Sequence, residues 1–251
     1  MAKAQLYNYI LEIADNCLIL GQRLGELCGH GPTLETDIAL TNISLDLIGQ
    51  TRSYYQYASS VTGEERSEDD IAFLRLEKEY RNVLLVEQPN THFGHVIARQ
   101  YLFDVYHYAF LTRLSNSSDA SLKAIALKAI KEVSYHKRFS GDWVKRLGDG
   151  TQESNDKMQE AIEDLWPYVA ELFDMSDVAK ALLEEGIAVD AGSLKEACME
   201  EIKELLVAAQ LQLPDNPYAK RGGKTGRHSE HMGYILADLQ YMQRTYPNMS
   251  W

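Results

Sequence analysis

Two pairs of residues in this chain have the chemistry of metal ligands at helical spacing. Asp104 and His107 stand three apart in DVYH, and Glu132 and His136 stand four apart in EVSYH. Residues three or four apart on a helix project from one face, one turn above the other. A carboxylate and an imidazole so placed can share a metal ion or a proton. Two-metal carboxylate sites inside helix bundles take a Glu from each of two helices and a Glu-x-x-His from each of the other two, about six ligands in all. Four carboxylates offset most of the ionic charge, and two imidazoles complete the shells. This chain falls short of that inventory. Asp104 is the one acid with a His three residues on; Glu132 is followed at that spacing by Tyr135 and Asp46 by Gly49, and the first helix adds only Glu12, Asp15 or Glu26. We therefore expect Asp104, His107, Glu132 and His136 to form a polar cluster in the core, in preference to a working two-metal site or a single-metal site, with its members hydrogen-bonded to one another because buried polar groups need partners. No catalytic residue, bound cofactor or metal is assigned to the chain.

A second candidate is the loop YAKRGGKTGRH, residues 218–228. Its GGKTG looks like a phosphate loop, but the first glycine of a Walker A motif would fall at Tyr218 and no strand precedes it, so an NTPase is excluded. What remains is four cations, Lys220, Arg221, Lys224 and Arg227, before a helix N-terminus, where a phosphate could be held. A solvated surface loop is the preferred reading. His228 and His231 have ligand-like spacing but no third donor except Glu230. There is no Ser or Cys nucleophile motif, dinucleotide fingerprint or paired-cysteine metal pattern.

The elements that would position these residues are helices. Apolar residues recur every three or four positions from Leu6 to Leu27 and stop at GHGP; a second helix spans about 34–58. Ser67 and Asp70 are a capping pair for a helix over about 68–86 that ends before Pro89. The stretch 90–114 is apolar on most sides, as a central helix must be, with Phe93, Ile97, Gln100, Asp104, His107, Leu111 and Leu114 on one stripe. The helix over about 120–147 repeats the seam as Leu122, Ile125, Ala129, Glu132, His136, Phe139 and Trp143. Further helices are expected over about 154–173, 177–185, 194–212 (behind a Ser193–Glu196 capping box) and 228–245. No alternating strand is found. The expected architecture is all-α: one domain over 1–251, with a four-helix core bundle over about 4–147 and C-terminal helices over about 154–245 packed on it.

Composition narrows the partners. The 251 residues carry 37 acids against 25 bases, a formal net charge of −12, which repels nucleic acid and anionic membranes. No segment reads as a signal peptide or membrane span. Three cysteines without metal-type spacing suggest reduced thiols and a cytoplasmic location.

Four stretches then carry a resemblance that runs from the first helix to the end: ADNCLILGQRLGELCGHGPTLETDIALTNISLDLIGQ, RNVLLVEQPN, EVSYHKRFSGDWVKRLGDGT and GRHSEHMGYILADLQYMQRTYPNMSW. In this order the chain resembles the structural subunits of the multicomponent phenylacetyl-CoA epoxidases (phenylacetyl-CoA oxygenases), departing at THFGH after VEQPN. The resemblance implies a ferritin-like fold. It implies a non-catalytic structural subunit that pairs with and stabilises a homologous, catalytic partner holding the di-iron centre, alongside a small third subunit and a reductase, in aerobic phenylacetate breakdown. EVSYH would then occupy the place where an iron-bearing relative keeps Glu-x-x-His. A homodimer is expected when the chain is alone. The competing reading is a stand-alone di-metal oxidase or oxygenase built on the Asp104, His107, Glu132 and His136 cluster.

Overall fold

The computed structural model describes residues 2–63, 66–247 and 249. Among these the secondary structure is helical throughout, and the fold is all-α and ferritin-like. Four long helices dominate it: α1 (Ala2–Gly25), α2 (Leu34–Thr62), α4 (Phe93–Leu114) and α5 (Ala120–Gly148). The shorter ones are α3 (Glu68–Phe73), α6 (Gln152–Leu165), α7 (Asp177–Leu183), α8 (Lys195–Ala208) and α9 (Glu230–Thr245). No described helix is long and apolar enough to cross a membrane. The chain divides into two compact units, one of residues 1–87 with 222–251 and the other of residues 88–221.

The first unit is built on the antiparallel pair α1 and α2. Thr33 caps α2 by accepting from the Thr36 amide, and Gly63 ends it in a left-handed conformation. The helices approach closely at Gly21, where the Ser44 hydroxyl donates to the Gly21 carbonyl at 2.7 Å. Further along, Thr51 faces the Ala14 carbonyl, which fixes the opposite direction of the two chains. Ile10, Cys17, Leu20, Leu24, Leu40, Ile43, Leu47 and Tyr54 are fully buried between them and their neighbours. The last helix, α9, belongs to this unit and buries Met232, Ile235 and Leu236.

The helix expected over 68–86 is only six residues long. The Ser67–Asp70 capping box forms as expected, but α3 ends at Phe73 and the chain continues through two 3-10 turns. The cause lies on α1. The Asp15 carboxylate accepts the Arg81 amide at 2.7 Å and the Asn16 side chain accepts the Val83 amide at 2.8 Å. Those donors are thereby satisfied without continuing a helix.

The second unit is built on the antiparallel pair α4 and α5, with α6 and α8 against it. α4 is buried from Gly94 to His107 without interruption, as its all-round apolar pattern predicts. The departing THFGH segment supplies its cap: the His92 ring nitrogen accepts from the His95 amide. The seam of α5 differs from the sequence reading. It runs through Leu122, Ala126, Ala129, Val133, His136, Ser140 and Val144, while Ile125, Glu132, Phe139 and Trp143 are half-buried at its edge. The true seam uses small residues because α4 presents large ones: the Tyr101 ring lies against Gly141. The Ser193–Glu196 box does not form. α8 has no side-chain cap, and Ser193 donates to the Asp190 carbonyl instead.

Candidate functional site: the buried polar clusters

In the second unit, Asp104 is completely buried on α4. Its carboxyl oxygens meet the Gln100 amide at 2.7 Å and the Ser140 hydroxyl at 2.8 Å. Ser140 also lies 2.9 Å from the His136 carbonyl. A hydroxyl has one proton and cannot donate to both oxygens. The arrangement balances when Asp104 is itself protonated, donating to Ser140 while Ser140 donates to His136. Burial pushes the Asp104 carboxyl up to about 8, against the opposing pull of Ser140, Gln100 and the Lys137 charge. His107 is equally deep; burial, with the His136 imidazole adding to it, drives it down to about 3, so it is neutral at physiological pH. The structure therefore brings Asp104, His107 and His136 into one buried neighbourhood and leaves Glu132 at the edge of the seam. The bonds of Asp104 go to Gln100 and Ser140, two residues outside the expected cluster.

In the first unit a stronger polar cluster surrounds Asp15, which sequence reasoning named only as a spare donor. The Asp15 carboxylate accepts from Arg75 Nη2 at 2.6 Å, Arg75 Nη1 at 3.0 Å, the Tyr55 hydroxyl at 2.5 Å and the Arg81 amide at 2.7 Å. Four donors on two oxygens is the setting of an ionised carboxylate. Arg75 is 2% exposed and Asp15 0%, so the charges compensate each other away from water. The guanidinium also donates to the Ile71 and Glu79 carbonyls and lies 4.1 Å from the centroid of the Tyr80 ring. Burial works against its charge, but Asp15, Tyr55 and Tyr80 together outweigh burial and hold Arg75 above its ordinary value. The Arg75 carbonyl is closed off by α9, through Gln240 at 2.9 Å and Arg244 at 3.0 Å. A cation within the apolar run IAFLRL was the available signal for Arg75; its partner sixty residues earlier was not legible.

A third cluster ties the tail to the same unit. Glu87 is fully buried and accepts from Asn82, from His228 Nδ1 at 2.6 Å, and from the amide and hydroxyl of Ser229. The other His228 nitrogen faces the Tyr80 carbonyl at 3.2 Å. With acceptors at both nitrogens the ring carries two protons. Burial opposes that charge, and the bond and charge of Glu87, with the Tyr80 carbonyl and the Glu77 charge, together overcome it, raising His228 above its usual value. His228 is thus a buried ion-pair partner, engaged at both nitrogens, rather than half of a metal pair with His231.

The glycines of the 222–226 loop have a packing role. A Cβ on Gly223 would collide with the Asn82 carbonyl, and Gly226, at φ +77°, would meet that of Lys78. The four cations divide between the units. Arg221 pairs with Asp174 at 2.6 Å, and Lys220 bonds to the Tyr168 hydroxyl at 2.9 Å over its ring. Lys224 is half-buried and Arg227 exposed, both in the first unit.

These residues do not fit a two-metal centre. The Asp15 oxygens are taken by a guanidinium, a hydroxyl and an amide, and the Asp104 oxygens by an amide and a hydroxyl. Among the described residues no three or more His, Cys, Asp and Glu side chains gather as ligands for one ion. What the arrangement provides is charge compensation and rigidity in two helix-pair cores.

The family model described as "Phenylacetic acid catabolic protein" matches residues 1–251. The chain is similar to the C subunit of the 1,2-phenylacetyl-CoA epoxidase of Escherichia coli (strain K12), at 51% identity over 247 residues, 98% of this chain and 99% of that one. Matched along its whole length and with half of its residues identical to such a relative, the chain belongs to the phenylacetic acid catabolic protein family.

Proposed function

We propose that this chain is the non-catalytic structural subunit of a phenylacetyl-CoA epoxidase, pairing with and stabilising a homologous, catalytic partner that holds the di-iron centre. The similarity to an epoxidase component over nearly the full length of both chains supports membership of the complex. The observation that supports the non-catalytic role is the Asp15–Arg75 pair: a permanently charged guanidinium occupies the inner face of a core carboxylate. In a carboxylate-bridged iron protein that face would be turned to a cation bound from solution. Here the cation is covalently part of the chain, so the core is complete without metal. The role left to such a protein is mechanical. It presents a rigid helical surface that holds its partner's helices in the geometry the partner's ligands require.

The test is co-expression of this chain with the iron-bearing subunit, followed by metal analysis of each purified component. We expect the two to co-purify, with iron in the partner and well below one iron per copy of this chain. Removing this chain should lower the partner's iron retention and thermal stability. About two irons per copy of this chain purified alone, with oxygen consumption, would make it the stand-alone di-metal oxidase.

A further inference from the structure

The outward face of α5 is basic in a chain that is otherwise acidic. The helix holds seven Lys and Arg against two acids, a net of +5 within a chain of net −12. Lys128, Lys131, Arg138, Lys145 and Arg146 fall within about 100° of one another at 3.6 residues per turn, on the side opposite the seam to α4. All five are exposed, and Asp142 is the one acid among them. Two apolar side chains stand in the same row, Leu127 at 52% exposure and Tyr135 at 40%. From Leu127 to Arg146 the row is roughly 28 Å long at 1.5 Å per residue. Elsewhere the chain pairs cations with its own acids, as at Arg23–Glu26, Arg52–Glu68, Lys157–Glu153 and Arg221–Asp174. On α5, among the described residues, only Lys137 at the side of the row is so paired, with Glu201 at 2.8 Å. Arg138 and Arg146 lie over the rings of Tyr135 and Trp143, at 5.9 and 5.4 Å, and meet no acid. Like charges one turn apart, as at Lys128 and Lys131, oppose a helix, so folding does not call for this row.

Charge and width together identify the occupant. Free cations call for carboxylates, and an apolar contact at Leu127 and Tyr135 with charged groups around it is the layout of a protein interface. The helices packed against α5 are acidic: α6 has five acids and one base, and α8 four acids and two bases. The basic strip is therefore one helix wide. Duplex nucleic acid or an anionic membrane would overlie the neighbouring acids as well and be repelled by them. A single helix with carboxylates three and four residues apart needs only the strip. We propose that the outward face of α5 docks an acidic amphipathic helix of another subunit of the epoxidase complex, its carboxylates paired with Lys128, Lys131, Arg138, Lys145 and Arg146 around an apolar contact at Leu127 and Tyr135. The identity of the partner rests on the structural-subunit reading above; the chemistry of the strip does not.

Carbodiimide cross-linking of the complex, captured through a tag on this chain, tests it, because the reagent joins an amine to a carboxyl only where the two touch. Mass spectrometry is expected to find Lys128, Lys131 or Lys145 joined to Asp or Glu of another subunit. Lys128→Glu with Lys131→Glu and Arg138→Glu should weaken that subunit's binding by roughly tenfold or more, with an unchanged helical spectrum. The equally exposed Lys180→Glu with Lys203→Glu should leave binding as in the parent. High salt should shrink the difference between the parent and the triple variant. A chain that co-purifies with the iron-bearing subunit, gives no such cross-link and is indifferent to the triple reversal overturns the docking strip and leaves the subunit reading standing. A chain that fails to co-purify overturns both. Cross-links only to a second copy of this chain, or retention on duplex DNA or phosphatidylglycerol vesicles without any cross-link to a subunit, also overturn the proposal.

Discussion

Replacing Arg75 by Met tests the claim that an internal cation completes the first unit's core. Methionine keeps the length and most of the apolar stem, so the change removes charge and donors more than volume. Asp15, at 0% exposure, would keep only the Tyr55 hydroxyl and the Arg81 amide. The Ile71 and Glu79 carbonyls would lose their Arg75 donors, and the cation over the Tyr80 ring would be gone. Breaking a buried pair on one side costs about 3–5 kcal/mol, because the surviving charge is stranded in low dielectric. In a protein of this size each kcal/mol moves Tm by about 2–4 °C, so a fall of roughly 6–20 °C is expected. Removing both charges, Asp15→Leu with Arg75→Met, should cost less than the two single changes added together, since no charge is left behind. Thermal and urea unfolding followed by circular dichroism, on the parent, both single variants and the double, measures the coupling. An Arg75→Met protein that melts within a degree or two of the parent, or a double variant whose loss equals the sum, would show that the pair is solvated or idle and refute the reasoning.

Asp104→Asn replaces a carboxyl held near 8 with a neutral isostere that can still donate to Ser140. A carboxyl raised above its unfolded value of about 3.9 costs stability progressively as pH rises toward about 8, so the variant should match the parent near pH 4 and exceed it at pH 8 in Tm scans. For His228 the shift is also upward, so the stability from its ion pair with Glu87 is fully present below the unfolded value of about 6.5 and is lost as pH rises through the higher folded value. His228→Gln should therefore be most damaging in mild acid, with the Tm gap to the parent narrowing in alkali. Gly223→Ala forces a methyl group into the Asn82 carbonyl and should cost about 1–3 kcal/mol, read as faster proteolysis around residues 214–228.

What was readable in the sequence was local. Helix periodicity located all four long helices and α6 to α9 to within a few residues at most ends, because side chains three and four apart share a face whatever lies opposite. Asp104 and His107 were correctly set on the buried stripe of α4 for the same reason. The seam of α5 was read correctly at Leu122, Ala129 and His136 and one residue early at the positions between and after them, since its small residues, Ala126, Ser140 and Gly141, look uninformative until the bulky face of α4 is placed against them.

The sequence by itself determined an all-helical chain and the approximate placing of its main helices. Only the tertiary structure decided how the buried charges are met. Arg75 reaches Asp15 across sixty residues, His228 reaches Glu87 across 141, and Asp15 and Asn16 stop the expected 68–86 helix by accepting its amides. Local propensity fixes backbone conformation over one or two turns, whereas a buried carboxylate takes whichever donor the chain's path brings within 3 Å, and that path is set by the packing of the whole unit.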